Sequence, residues 1–160
     1  MSTVKRLVME NACYHLMVRG NQKQNVFRSQ DDYLTYLALL KRFKRKYKFR
    51  LYAYCLMPNH VHLLGQLDSP TFLSKFMHGL NRTYTLYFNN KYGEVGHLWQ
   101  GRFKSKIIAK DKYLLDCINY IESNPIRSGL TDRLLEYAWN SYPARVLNVT
   151  DDIIDEWSID

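Results

Sequence analysis

Apolar and polar positions alternate in two rhythms along this chain. Short apolar runs bounded by turn residues read as strands at 13–20 (CYHLMVRG), 49–57 (FRLYAYCLM), 60–67 (HVHLLGQL) and 102–109 (RFKSKIIA). Gly20-Asn21 closes the first run, and Pro58-Asn59 separates the second from the third as a hairpin turn. Longer amphipathic stretches predict helices at 29–47, 69–92 and 110–124. Ser29 is placed to cap the first, with Asp31 and Asp32 in its opening turn and Lys and Arg crowding its end. Pro70 opens the second, and Pro125 is expected to stop the third, leaving 93–101 and PIRSGL (125–130) as loops.

The order β-α-β-β-α-β-α predicts an α+β fold, a ferredoxin-like split βαβ unit with helices packed on a central antiparallel sheet. Strands one and three of that unit lie side by side in the middle. The composition shifts only near the end, so residues 1–149 are expected to form one domain and 150–160 an acidic tail, either flexible or added on like a strand.

The third strand is unusual. His60 and His62 are two apart, so both project from one face with Val61 on the other. A buried imidazole is costly unless its ring nitrogens are used. The pair suits one divalent metal, or alternatively two hydrogen-bonded core histidines. On the last helix, Tyr113, Cys117, Tyr120 and Asn124 fall within about a 60° arc. Beside that stripe, Leu114, Ile118 and Ile121 form an apolar arc that should face the sheet. Spacing alone leaves both tyrosines open as packing residues and Asn124 as a helix end.

Charge narrows the partners. Five of the fifteen acids fall in the last eleven residues, which hold no Lys or Arg, so residues 1–149 carry all 23 cations against ten acids. Such a domain is drawn to polyanions. No run approaches the roughly 18 apolar residues that cross a bilayer, and MSTVKRLVME lacks an apolar signal core. No membrane partner and a cytoplasmic location are therefore expected. Cys13, Cys55 and Cys117 form no CxxC pair and read as reduced, buried thiols. A Cys/His zinc hydrolase built on Cys55 or Cys117 is an alternative.

Three segments in order, MPNHVHLL (57–64), GHLWQGRFKS (96–105) and YIESNPIRSGL (120–130), resemble the single-tyrosine HUH transposases. The resemblance is greatest to REP-associated tyrosine transposases, relatives of the small insertion-sequence transposases. YHLMVRGN (14–21) resembles their opening strand, and the likeness spans about residues 12–145. It implies that His60 and His62 are the metal-binding pair, that Tyr120 is the nucleophile and that Asn124 is a further metal ligand. The implied metal is Mg²⁺ or Mn²⁺. The implied reaction is nicking and transfer of single-stranded DNA at hairpins through a 5′-phosphotyrosine. Tyr113 is the rival nucleophile. Relatives of this kind act as monomers or as homodimers that exchange the catalytic helix.

Cations interleaved with aromatics suit backbone contact and base stacking. On that pattern Arg42, Lys44 and Arg45 (in KRFKRKYKFR), Arg82 (in NRTY), and Arg102 with Lys104 on one strand face are candidate DNA contacts, as are Arg19 and Arg127. Trp99 either stacks on a base or plugs the core. A non-catalytic single-strand or hairpin-binding module fits the same basic-aromatic stretches.

Overall fold

In the computed structural model, which describes residues 8–149 and 151–157, the alternation along β1 (Ala12–Arg19) sorts its side chains onto two faces of one sheet. The sheet also holds β2 (Arg50–Met57), β3 (His60–Leu67) and β4 (Lys104–Ile108), in the order β2-β3-β1-β4 with every pair antiparallel. The fold is α+β and ferredoxin-like, with β1 and β3 at its centre.

One face buries Tyr14, Leu16 and Val18 of β1 with Val61 and Leu63 of β3 under α1 (Gln30–Tyr47) and α2 (Thr71–Tyr92). Trp99 is buried in this core. On the opposite face, Cys13, Ala53, Cys55, Met57 and Leu64 are covered by Leu114, Cys117, Ile118 and Ile121 of α3 (Lys112–Glu122). A bulge between Leu51 and Ala53 shifts the alternation, so that Leu51 and Tyr54 share a face. At Gly65 an added Cβ would lie 2.3 Å from the Arg50 carbonyl oxygen and 2.4 Å from the Phe49 ring. Only glycine permits that approach.

Ser29 caps α1 as expected. Its hydroxyl accepts from Asp32 N–H, and the Asp32 carboxylate accepts from Ser29 N–H at 3.1 Å. Asp32 is fully buried, and it also accepts from Lys91 Nζ and Tyr87 Oη at 2.8 Å and from the Tyr92 hydroxyl. The cap therefore ties α1 to the end of α2.

Two expectations are corrected. Pro125 does not stop the helical path. After Ser123 the chain restarts as α4 (Asn124–Arg127), because proline is tolerated in a first turn, where its missing N–H is not needed. Gly129, at φ +75°, ends it, with Leu130 N–H donating to the Pro125 carbonyl at 2.9 Å. The fourth strand starts at Lys104 rather than 102, so Arg102 precedes it and does not share its face as a strand residue.

The acidic end is anchored. Its Thr150 and residues 158–160 lie outside the described residues. Asp155 N–H donates to the Leu51 carbonyl at 2.6 Å, and its carboxylate accepts from Leu51 N–H at 2.9 Å, pairing with the edge of β2. Further along that edge, Leu56 N–H donates to the Trp139 carbonyl, and Ser141 N–H to the Tyr54 carbonyl. The last helix, α5 (Tyr142–Val146), follows. Among the described residues no helix is long and apolar enough to cross a membrane.

Burial pushes the Asp32 carboxyl up, but hydrogen bonds from Lys91, Tyr92, Arg28 N–H and Tyr87 outweigh that and hold it down at about 2. Asp32→Asn is expected to cost about 2 kcal/mol at pH 7 in urea unfolding. The gap between the two proteins should shrink as pH falls from about 4, where an unfolded carboxyl protonates, through about 2.

Candidate active site

Cross-strand register at the sheet centre assembles the histidines. Arg19 of β1 lies opposite His60 of β3, and Met17 lies opposite His62. His15, further along β1 on the same face, stacks on His62 with ring centroids 5.1 Å apart. The His60 and His62 rings are 5.0 Å apart and nearly perpendicular. His15 escaped the sequence reading. The signal was its position in the first strand, alternate with Met17 and Arg19, and it becomes informative only once that strand is set beside the histidine strand.

Hydrogen bonds decide which ring nitrogens are free. Asn59 Nδ2 donates to the Lys23 carbonyl at 3.5 Å, which turns Asn59 Oδ1 toward His60 Nδ1 at 2.7 Å. That oxygen only accepts, so His60 Nδ1 carries the proton and Nε2 keeps a lone pair. The Asn124 amide Nδ2 is 3.2 Å from His60 Nε2, and Asn124 Oδ1 accepts from the Ser128 hydroxyl at 3.2 Å. His62 Nδ1 and His15 Nε2, 2.9 Å apart, share one proton. With that proton on His62, its Nε2 is also a lone pair.

Burial, helped by Arg19, pushes His60 down to about 4. Burial, with His15, His60, Arg127 and Arg19 adding to it, pushes His62 down to about 3. Burial and then Lys106 lower His15. The His60 and His62 imidazoles are therefore neutral at pH 7, the form that ligates metals.

The seating of α3 delivers the remaining groups. With its apolar arc buried on the sheet, Tyr120 stands at the rim, 52 % exposed. Its ring lies edge-on to His15 and His62, at 6.1 and 6.2 Å between centroids. The Arg127 guanidinium lies 4.2 Å from the Tyr120 ring centroid and donates to the Ser123 hydroxyl. Buried Glu122 holds the helix in place. It accepts from Arg145 Nη2 at 2.9 Å and from the Ser141 hydroxyl at 3.2 Å, and its backbone carbonyl accepts from Asn140 Nδ2 at 2.8 Å. Among the described residues, ring contact with these histidines from α3 is made by Tyr120.

The donors available to a divalent ion are His60 Nε2, His62 Nε2 and, once its amide is turned over, Asn124 Oδ1. Among the described residues no group of three or more His, Cys, Asp or Glu is arranged to hold a metal. Burial pushes the Cys55 thiol up to about 12 and the Cys117 thiol up to about 11, away from the thiolate that zinc binds.

A family model described as "Transposase IS200 like" matches residues 8–124. The chain belongs to the IS200-like transposase family. A Haemophilus influenzae protein provisionally named a REP-associated tyrosine transposase is 28 % identical over 123 residues, covering 69 % of each chain. The solved structure of a REP-associated tyrosine transposase bound to a REP hairpin superposes with TM-score 0.77 at 19 % identity, covering 100 % of this chain and 94 % of that one. A Deinococcus radiodurans protein provisionally called a transposase gives TM-score 0.52 at 16 % identity over 76 % of this chain and 97 % of its own.

This transposase-family chain gathers only some of its expected DNA contacts near the histidines. Arg19, Arg102 and Lys104 line one cleft with Met17 and Gln100, next to His60. Arg82 and Arg102 line a second pocket between α2 and the 96–103 loop, together with His97 and Trp99. Arg127 lies against Tyr120. Arg42 and Arg45 are exposed on α1, in the layer opposite the histidines. Lys44 is a correction. It is buried, and its Nζ donates to the Ile153 carbonyl at 2.5 Å and to Asp155 at 2.7 Å. Its charge is used within the fold.

Imidazole ¹⁵N NMR should show His60 protonated on Nδ1 and both His60 and His62 uncharged at pH 7, charging only below about pH 5. Unfolded histidines charge near 6.5. These two rings therefore lower the protein's stability progressively as pH falls from about 6.5 through about 4 for His60 and about 3 for His62.

Proposed function

We propose that this protein nicks and rejoins single-stranded DNA beside a hairpin, with Tyr120 as nucleophile and Mg²⁺ or Mn²⁺ held by His60, His62 and Asn124. The observation that carries this reading is the convergence of one helical segment on two imidazoles. Asn124 meets His60 Nε2 at 3.2 Å while Tyr120, one turn earlier, faces His62. The solved relative named as bound to a REP hairpin supports the choice of a hairpin partner.

When bound, the cation supplies Lewis-acid charge to a non-bridging oxygen of the scissile phosphate and orients it. The Tyr120 phenol oxygen attacks phosphorus, and its proton leaves to solvent at the open rim. The bond from phosphorus to the 3′ oxygen breaks in line, and that oxygen takes a proton to become a 3′-hydroxyl. The 5′ end stays on Tyr120 as a phosphodiester, and attack by a 3′-hydroxyl reverses the step without ATP. Arg127, Arg19 and Lys104 supply positive charge around the phosphate. The neutral imidazoles leave room for that charge, since a protonated histidine would repel the cation. Tyr120 and Asn124 meet histidines of their own chain, which supports action as a monomer over helix exchange in a homodimer.

Labelled hairpin oligonucleotides with single-stranded flanks, incubated with Mn²⁺ and run on a denaturing gel, test this. The wild type should give a covalent band that EDTA abolishes. Tyr120→Phe should lose the band while binding the hairpin within about threefold of wild type, and Tyr113→Phe should keep it. His60→Ala and His62→Ala should each reduce adduct formation at least 100-fold. Tight binding with no adduct under any metal would identify a binding module instead.

A further inference from the structure

Past Tyr120, the exposed stripe of α3 continues into a cavity of about 750 Å³ between α3 and β4. That volume lies within the range of small-molecule sites, about 300–1,000 Å³. His15 and Tyr120 form one end of it, so it is continuous with the candidate active site. Ile107 and Ile108 contribute apolar wall, and Lys106 stands on β4 opposite His15. Tyr113 and Asp116 complete the helix side.

Each wall matches part of a nucleotide. Tyr113 is 56 % exposed, a large aromatic ring left open to solvent two turns before Tyr120, as in the stacking platforms of single-strand binders. The Lys112 ammonium lies 5.5 Å from its ring centroid, and Lys106 adds a second cation for the backbone. Asp116 is the odd group. A carboxylate repels phosphate, so beside a DNA strand it is useful only where the strand offers a donor, and those donors are on the bases. Adenine, cytosine and guanine carry an exocyclic amine. Thymine sets a keto oxygen on each side of its single N–H, and both repel a carboxylate.

In-line geometry selects the nucleotide. The leaving 3′ oxygen departs opposite the Tyr120 oxygen, so the released nucleoside lies across the phosphate from α3. The retained nucleotide hangs from an equatorial oxygen of that phosphate and stays bonded through it to Tyr120, so of the two it is the nucleotide nearer α3. We infer that the cavity between α3 and β4 binds the base of this retained nucleotide, Tyr113 stacking on it and Asp116 accepting from an exocyclic amine, so that amino-bearing bases are taken and thymine is rejected. This inference rests on Tyr120 being the nucleophile.

The test uses hairpin oligonucleotides whose cleavage position is first mapped by sequencing the strand in the covalent adduct. The retained position is then varied through A, C, G, T and an abasic site. Wild type should form adduct at least tenfold faster with A, C or G than with T. Asp116→Asn, whose amide both donates and accepts, should bring that ratio close to one. Tyr113→Ala should slow all four bases about tenfold and leave the abasic substrate unchanged. A base preference identical in wild type and Asp116→Asn, or an abasic substrate as fast as the best base, would overturn the assignment. If no adduct forms with any flank, the reading of Tyr120 has failed. The same series then tests the cavity through equilibrium binding: a preference lost in Asp116→Asn supports it, and equal Kd values across the series overturn it.

Discussion

The candidate site depends above all on burial of the α3 apolar arc against the sheet face that α1 and α2 leave open. Leu114, Cys117, Ile118 and Ile121 press on Ala53, Cys55, Met57 and Leu64. That contact fixes the rotation of the helix about its own axis. Because neighbouring stripes of a helix have fixed angular offsets, it also fixes Tyr120 at the rim and leads Asn124 to His60. A rotation of one residue, about 100°, would bury Tyr120 or turn it to solvent. The Glu122–Arg145–Ser141 network guards against that rotation with a buried carboxylate that would be left unpaired if the helix turned.

The histidines illustrate how a fold keeps polar rings in an apolar setting. Both ring nitrogens of His60 have amide partners, Asn59 and Asn124, and His62 Nδ1 pairs with His15. Dehydration keeps the rings neutral, and the neutral state leaves lone pairs for a cation. Two ends are thus met by one environment. The same low-polarity surroundings that make a charged imidazole costly also strengthen whatever electrostatic contact a bound ion makes.

The positive charge of the chain is divided between two jobs. Lys44 and Lys41 are engaged by Asp155 and Asp152 of the acidic end, and this pairing helps to cover the exposed edge of β2. Arg19, Lys104, Arg102 and Arg127 remain around the histidines and their flanking clefts. A basic-aromatic run such as KRFKRKYKFR is therefore not one surface: it covers both the buried and the exposed sides of the end of α1, with Phe43 and Lys44 inside and Arg42 and Arg45 outside, and then runs on into β2 at Arg50.

Consecutive residues by themselves determined the two-residue spacing that puts His60 and His62 on one face. They also determined the helical stripe carrying Tyr113, Cys117, Tyr120 and Asn124, the Ser29 cap and the strand order that implies a split βαβ sheet. These are properties of local geometry, repeated every two or 3.6 residues, and they hold wherever the element is placed. Tertiary structure alone decided that His15 meets His62 from 47 residues away, that Lys44 turns inward to Asp155, and that Pro125 begins a helical turn rather than ending one. Each of these depends on which surfaces bury one another, and no local period records the partner that packing brings across the sheet.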